Sequence, residues 1–213
     1  MAYTHYVFDF DGTLVNSLPD LTAAINHVAA SAQIDHQYSR EQVGTMVGDG
    51  VTVLLQRAFP DEAHRMKQLR SIFDEYYARN CSQGTQIYEG VVETLSTLHA
   101  QGKTLILMTN KPQRFTLPML QDLGLREFFP VVYCGDTLDC KKPDPAVMHH
   151  LLASLQLNPS AVLMVGDSAN DILCAAGATV DSALVTYGYG NLSHLEELSP
   201  TYTLTRIREL LFL

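Results

Sequence analysis

Four short apolar runs punctuate the chain, each giving way to small or polar residues: Tyr3–Phe8, Thr104–Met108, Val131–Cys134 and Ala161–Val165. Runs of this length, bounded by turn formers, read as buried strands. Between them, Val91–Ala100, Phe115–Leu123 and Pro145–Leu155 carry apolar residues at spacings of three and four, which marks one buried helical face. Two further strands are expected at Ser182–Thr186 and Thr201–Leu204, ahead of a last helix at Arg206–Phe212. Strands alternating with helices imply parallel pairing through right-handed crossovers, hence an α/β fold with a doubly wound, mainly parallel sheet.

The rhythm breaks once. Residues 9–103 separate the first strand from the second, and within them Leu18–Asn80 is helical in pattern, interrupted near Asp35, Gly48 and Pro60. This predicts a small all-helical cap inserted after the first strand. The core would comprise residues 1–16 and 82–213, and the cap residues 17–81. The connections at Ser17 and at Ser82–Gly90 would act as hinges.

In an open parallel sheet, ligands bind outside the carboxyl ends of the strands. The first strand is followed by Asp9, Asp11, Gly12 and Thr13, and the second by Thr109, Asn110 and Lys111. The third leads to Lys141 and Lys142, and the fourth to Gly166, Asp167, Ser168 and Asp171. An extended backbone places Asp9 and Asp11 on the same face, where like charges repel unless something neutralises them. Several carboxylates without a histidine suit a hard cation such as Mg2+. A hydroxyl, an amide and a lysine suit the oxygens of a phosphoryl group. A carboxylate so placed can attack phosphorus, and its neighbour two residues on can carry the proton. Singly, each motif also reads as structure: Asp9 as a turn cap, Thr109-Asn110 as a helix cap, Gly166-Asp167-Ser168 as a strand-to-helix junction. Four polar strand ends in one register favour chemistry.

Composition narrows the partners. A net charge of −9 excludes nucleic acid and acidic membrane surfaces as natural partners, so an anionic substrate needs local positive charge from lysines or a metal. No apolar run is long enough to span a bilayer and no secretory pattern opens the chain, so the expected setting is cytoplasmic. Cys81, Cys134, Cys140 and Cys174 form no CxxC pair and read as reduced packing residues; a zinc site from Cys134, Cys140, His149 and His150 has no usual ligand spacing. The expected partner is a small phosphorylated metabolite, with the chain a monomer or homodimer.

The strings Asp9-x-Asp11-Gly12-Thr13, Thr109 at a strand end, Lys142 before Pro143 and Gly166-Asp167-Ser168-x-x-Asp171 resemble, in that order, the four motifs of the haloacid dehalogenase superfamily, in its phosphatase branch. The resemblance covers the whole chain. It implies Asp9 as nucleophile and magnesium ligand, and Asp11 as acid and base with its carbonyl on the metal. It further implies Thr109 and Asn110 on the phosphoryl oxygens, Lys142 between Asp9 and phosphate, Asp167 on the metal and Asp171 orienting its surroundings. Lys141 is expected in solvent, and Thr13 is expected to steady Asp11. The strings DGTLVNSLPDL, VGDGV, TNKP, CGDTL, KKPDPAV and TYGYG look like those of bacterial phosphoglycolate phosphatases, which implies 2-phosphoglycolate as substrate. Asn16 and Glu89 depart from that group's usual aspartate and proline.

The cap would set substrate choice. Gly48-Asp49-Gly50 is expected to open a helix, with its amides facing a substrate carboxylate or, alternatively, with Asp49 as a plain N-cap. Arg57, Lys67 and Arg70 are expected in solvent, and Lys111 nearer the substrate. The alternatives of the same chemistry are a sugar phosphomutase, a pyrophosphatase and a broad-range phosphatase. A phospho-accepting signalling module is the alternative from another class, and Asp11, which would hasten loss of the phosphoryl group, stands against it.

Overall fold

The computed structural model of the protein describes residues 3–213. Its first strand, β1 (His5–Phe8), leads through a tight turn to a short strand β2 (Val15–Asn16). Four helices follow: α1 (Leu18–Ser31), α2 (Arg40–Gly44), α3 (Val51–Ala58) and α4 (Met66–Asn80). A second short strand, β3 (Gln86–Ile87), brings the chain back. It then alternates through α5 (Val91–Ala100), β4 (Thr104–Met108), α6 (Gln113–Asp122), β5 (Val131–Tyr133), α7 (Ala146–Ser154), β6 (Val162–Gly166), α8 (Ala169–Gly177) and β7 (Asp181–Val185). Helix α9 (Leu192–Glu197) and strand β8 (Tyr202–Leu204) precede a closing 3-10 helix at Ile207–Phe212.

Six strands form one sheet in the order β5-β4-β1-β6-β7-β8, and every neighbouring pair is parallel. The chain winds outward from β1 through β4 to β5, then crosses back to β6 beside β1. That reversal makes the carboxyl end of β1 the natural place for a site. The central strands are apolar on both faces because both are covered. Tyr6, Phe8, Leu105, Leu107, Leu163 and Val165 pack on one side with Leu95, Phe115, Met119 and Ile207. Val7, Ile106, Met108, Val162 and Met164 pack on the other with Met148, Leu151, Cys174 and Ala175. The register Val7↔Ile106 and Val7↔Met164 keeps each set on its own face.

Differences from the sequence reading are local. The first strand starts at His5 rather than Tyr3, whose phenolic hydrogen is donated to Asp181 (2.7 Å). The last helix is 3-10 rather than α. Strands β2 and β3 were not expected: they pair antiparallel, Val15↔Ile87 and Asn16↔Gln86, and tie together the two connections that flank α1–α4. At two residues each they are too short to show a period. Beside them Asp20, 6% exposed, accepts hydrogen bonds from the Gly84 and Thr85 amides (2.8 Å each) and the Thr85 hydroxyl (2.7 Å).

Asp20→Ala leaves the Gly84 and Thr85 amides without this acceptor, while the Thr85 hydroxyl keeps the Cys81 carbonyl (3.1 Å). The variant is expected to lose about 3 kcal/mol of stability in urea unfolding, since each deserted buried donor costs about 1–3 kcal/mol; a loss below 1 kcal/mol would show that the clamp contributes little.

Candidate active site

The carboxyl ends of β1, β4 and β6 bring the sequence motifs together around one buried ammonium. Lys142, 2% exposed, spends its three donors on the Met108 carbonyl (2.7 Å), Asp171 (2.6 Å) and Asp9 (2.9 Å). Asp171 is fixed from the other side, where its second oxygen accepts from the Ser168 amide (3.0 Å) and hydroxyl (2.6 Å) at the start of α8. Asp9 is held in line by its own amide, which donates to the Val165 carbonyl (2.9 Å).

Asp11 has a separate cation. Lys111 Nζ lies 3.0 and 3.1 Å from its two oxygens, and the Ser17 hydroxyl donates to it at 2.5 Å. The repulsion foreseen between Asp9 and Asp11 is thus answered by two lysines, one for each carboxylate. The expectation that Thr13 steadies Asp11 is corrected: its hydroxyl donates to Asp167 (3.1 Å), and Ser17 takes the role at Asp11.

Asp167 sits in a cradle of glycine and main chain. It accepts from Thr13 and from the Tyr189 amide (2.7 Å), within the TYGYG string. Gly12 adopts φ +86°, and a Cβ there would fall 2.2 Å from an Asp167 oxygen; a Cβ on Gly188 would fall equally close to the Asp167 side chain. Only glycine fits either place. The tyrosines of that string also brace the β1 turn, Tyr187 donating to the Thr13 carbonyl (2.9 Å) and Tyr189 receiving the Ser17 amide (2.8 Å).

Asp9, Asp167 and Asp171 offer ligand oxygens within 4.8 Å of one another. Among the described residues no side-chain cation pairs with Asp167, so three buried carboxylates share one ammonium. With all three ionised the excess charge is two negative, and the donors are all hard oxygens, so the site fits a divalent cation. Burial, with Asp171 nearby, pushes the Asp9 carboxyl up to about 6 against the pull of Lys142. Burial first, then Asp9 and Asp171, raises Asp167 well above the ordinary carboxylate range.

The helical segment closes over these groups. Asn110 donates to the Gly48 carbonyl (2.9 Å) and the Lys142 carbonyl (2.7 Å), while its amide oxygen is buried without a partner. Asn170 donates to Asp49 (2.9 Å) and Gly48 (3.2 Å). Lys141 is corrected from solvent to this same loop, donating to the Asp49 carbonyl (2.6 Å). Asp49 does not cap α3, whose N-cap is Gly50; its carboxylate pairs with Arg57 (2.5 Å) instead. Arg57 and Lys67 are exposed, whereas Arg70 is half-buried against Asp74 (2.8 Å). Asp9, Asp11, Thr109 and Lys111 line the cavity beneath, together with Gly48 and Gly50. Leu21, Val47, Val51 and Leu54 make it largely apolar. The cavity volume is about 40 Å³, room for a few water molecules.

A carboxyl group that binds its proton more tightly when folded stabilises the protein at low pH. The metal-free protein therefore loses the contribution of Asp9 as pH rises from 3.8 to about 6, and that of Asp167 over a range extending higher. A divalent cation competes with those protons, so the rise in melting temperature that it produces is expected to be several degrees larger at pH 7.5 than at pH 5; equal rises at both would contradict this electrostatic account.

Residues 6–185 match the family described as Haloacid dehalogenase-like hydrolase. The chain is 37% identical over 217 residues to "Phosphoglycolate phosphatase 1" of Pseudomonas aeruginosa, covering 96% of this chain and 77% of the relative. It is 38% identical over 209 residues to "Phosphoglycolate phosphatase" of Pectobacterium atrosepticum, covering 96% and 89%. A crystal structure described as "a predicted phosphoglycolate phosphatase" from Haemophilus somnus superposes with a TM-score of 0.93 at 34% identity, over 99% of this chain and 97% of the other. With its four strand-end motifs gathered at one sheet edge, the chain belongs to the haloacid dehalogenase-like hydrolase family.

Proposed function

We propose that the chain is a magnesium-dependent phosphatase that hydrolyses 2-phosphoglycolate to glycolate and phosphate through an aspartyl-phosphate on Asp9. The observation that carries this reading is the meeting of Asp9, Asp167 and Asp171 within 4.8 Å, with Lys142 against Asp9 and Asp11 held apart by Lys111. One carboxylate is thereby positioned among cation-binding groups, and the other at the cavity wall with Lys111 and Ser17.

In the proposed reaction an oxygen of Asp9 attacks phosphorus, the ester P–O bond breaks, and Asp11 gives a proton to the leaving oxygen. Water then attacks the phosphorus of the acyl phosphate, Asp11 takes back a proton, and the bond to Asp9 breaks. Thr109 and the Asn110 main-chain amide hold the phosphoryl oxygens during both steps, and the charge of Lys142, already paired with Asp9, offsets that building up between Asp9 and the phosphoryl group. Asp9, Asp167 and the Asp11 carbonyl would hold magnesium, with Asp171 orienting its surroundings, and the bound ion would supply positive charge against that of the phosphoryl group. Gly48, Gly50 and Lys111 face the rest of the substrate.

The names of the relatives support phosphoglycolate. So does the cavity, whose apolar wall leaves the hydroxyls of a sugar phosphate without partners. Residues 17–81 act as the cap and the remainder as the core. Four free cysteines fit a reducing, cytoplasmic setting.

Asp9→Asn is expected to lower magnesium-dependent phosphate release from 2-phosphoglycolate by roughly a thousand-fold or more, and chelation of magnesium to do the same to the unaltered protein. Full activity in the variant would sink the mechanism. A panel of phosphate esters scored by kcat/KM tests the substrate: preference for a phosphosugar or pyrophosphate would overturn the assignment.

A further inference from the structure

The cavity contains one polar group that the chemistry at Asp9 leaves unused. Tyr77, on α4, is fully buried and lines the same space as Asp9 and Asp11. Its ring stacks on Phe73 (centroids 5.1 Å apart) and meets Phe115 edge-on (5.0 Å). Lys111 Nζ lies 4.8 Å from the ring centroid and donates to the phenolic oxygen at 2.8 Å. These contacts fix the ring, so the position of its oxygen is fixed too.

The phenol's own hydrogen has no acceptor among the described residues. A buried donor left in that state costs about 1–3 kcal/mol, which a ligand can remove by supplying the acceptor. The lysine behind the oxygen polarises the O–H bond and favours an acceptor that is negatively charged. Burial, reinforced by Asp11, keeps the phenol protonated far above its ordinary value, so the group is a donor throughout the working range.

Position adds to this. Asp11 pairs with Lys111, and Lys111 bonds Tyr77, so the phenol lies two short contacts from the carboxylate proposed to protonate the leaving oxygen. Leu21, Val47 and Leu54 line the same cavity, where they suit a methylene and offer hydroxyls nothing.

We propose that Tyr77, backed by Lys111, is the specificity-determining contact for the substrate's distal end, donating its phenolic hydrogen to the carboxylate of a short phosphate ester. The proposal rests on the phosphatase reading given above. It names a side chain of the helical segment, rather than a loop amide, as the group that distinguishes a carboxylate from a neutral terminus.

Two esters of equal length separate the possibilities: 2-phosphoglycolate, with a carboxylate end, and 2-hydroxyethyl phosphate, with a neutral one. The ratio of their kcat/KM values in the unaltered protein tests the phosphoglycolate reading, and a ratio near one would overturn that reading. The change of the ratio in Tyr77→Phe tests the present proposal. It is expected to fall about ten- to hundred-fold, as loss of a charged hydrogen bond implies. Equal losses on both esters would assign Tyr77 a purely structural role and overturn the proposal. Phenylalanine keeps the packing on Phe73 and Phe115, which a thermal midpoint within about 5 °C of the unaltered protein checks. Competitive inhibition by glycolate gives a second reading: it weakens about ten-fold or more in the variant if the contact exists, and is unchanged if it does not.

Discussion

An ammonium group with no route to water needs three acceptors, and at Lys142 they come from three separate parts of the chain: the Met108 carbonyl ending β4, Asp9 after β1 and Asp171 in α8. Removing any one leaves a buried charge or donor uncompensated, which is among the costliest defects a protein interior can carry. The lysine therefore fixes the relative position of the strand ends as firmly as the sheet does. It also leaves the carboxylate group short of positive charge, because one cation serves Asp9 and Asp171 while Asp167 has only neutral donors. The site is thus electrostatically incomplete, which suits the divalent cation and phosphoryl group proposed for it.

A second cation keeps the two functions of the DxD string apart. Lys111 draws Asp11 toward the cavity and the helical segment, whereas Lys142 draws Asp9 toward β6 and α8. In the proposed reaction this separates nucleophile from proton carrier without distance in sequence. The same Lys111 bonds Tyr77, so the group beside the leaving oxygen and the group at the substrate's far end share one anchor.

Polar contacts to one short loop join the helical segment to the core, beside the apolar packing of Phe73 and Tyr77 on Phe115. Asn110, Lys141 and Asn170 all donate to Gly48 or Asp49, and the β2–β3 pair with Asp20 ties the connections behind it. Such contacts cost little net energy to exchange for water. A polar loop of this kind suits the proposed cap, which would admit substrate and then exclude solvent.

The amino-acid sequence determined the sheet strands within one or two residues, because buried parallel strands must be apolar on both faces and that pattern is local. It also determined which residues meet at the sheet edge, since strand ends in a parallel sheet lie together whatever their separation along the chain. Tertiary structure decided the partners. Nothing near Thr13 in sequence shows that it serves Asp167 rather than Asp11, or that Ser17 takes its place; both follow from the turn that Gly12 permits. Lys141 and Lys142 are adjacent and chemically alike, yet one is buried among carboxylates and the other crosses to Asp49, because neighbouring residues point apart. Tyr77 reads in sequence as one more apolar position of an amphipathic helix, and only the packing of α4 against Phe115 and Lys111 turns its hydroxyl into a polar feature of the cavity. Periodicity carries the fold, and the pairing of charges and donors across elements carries the site.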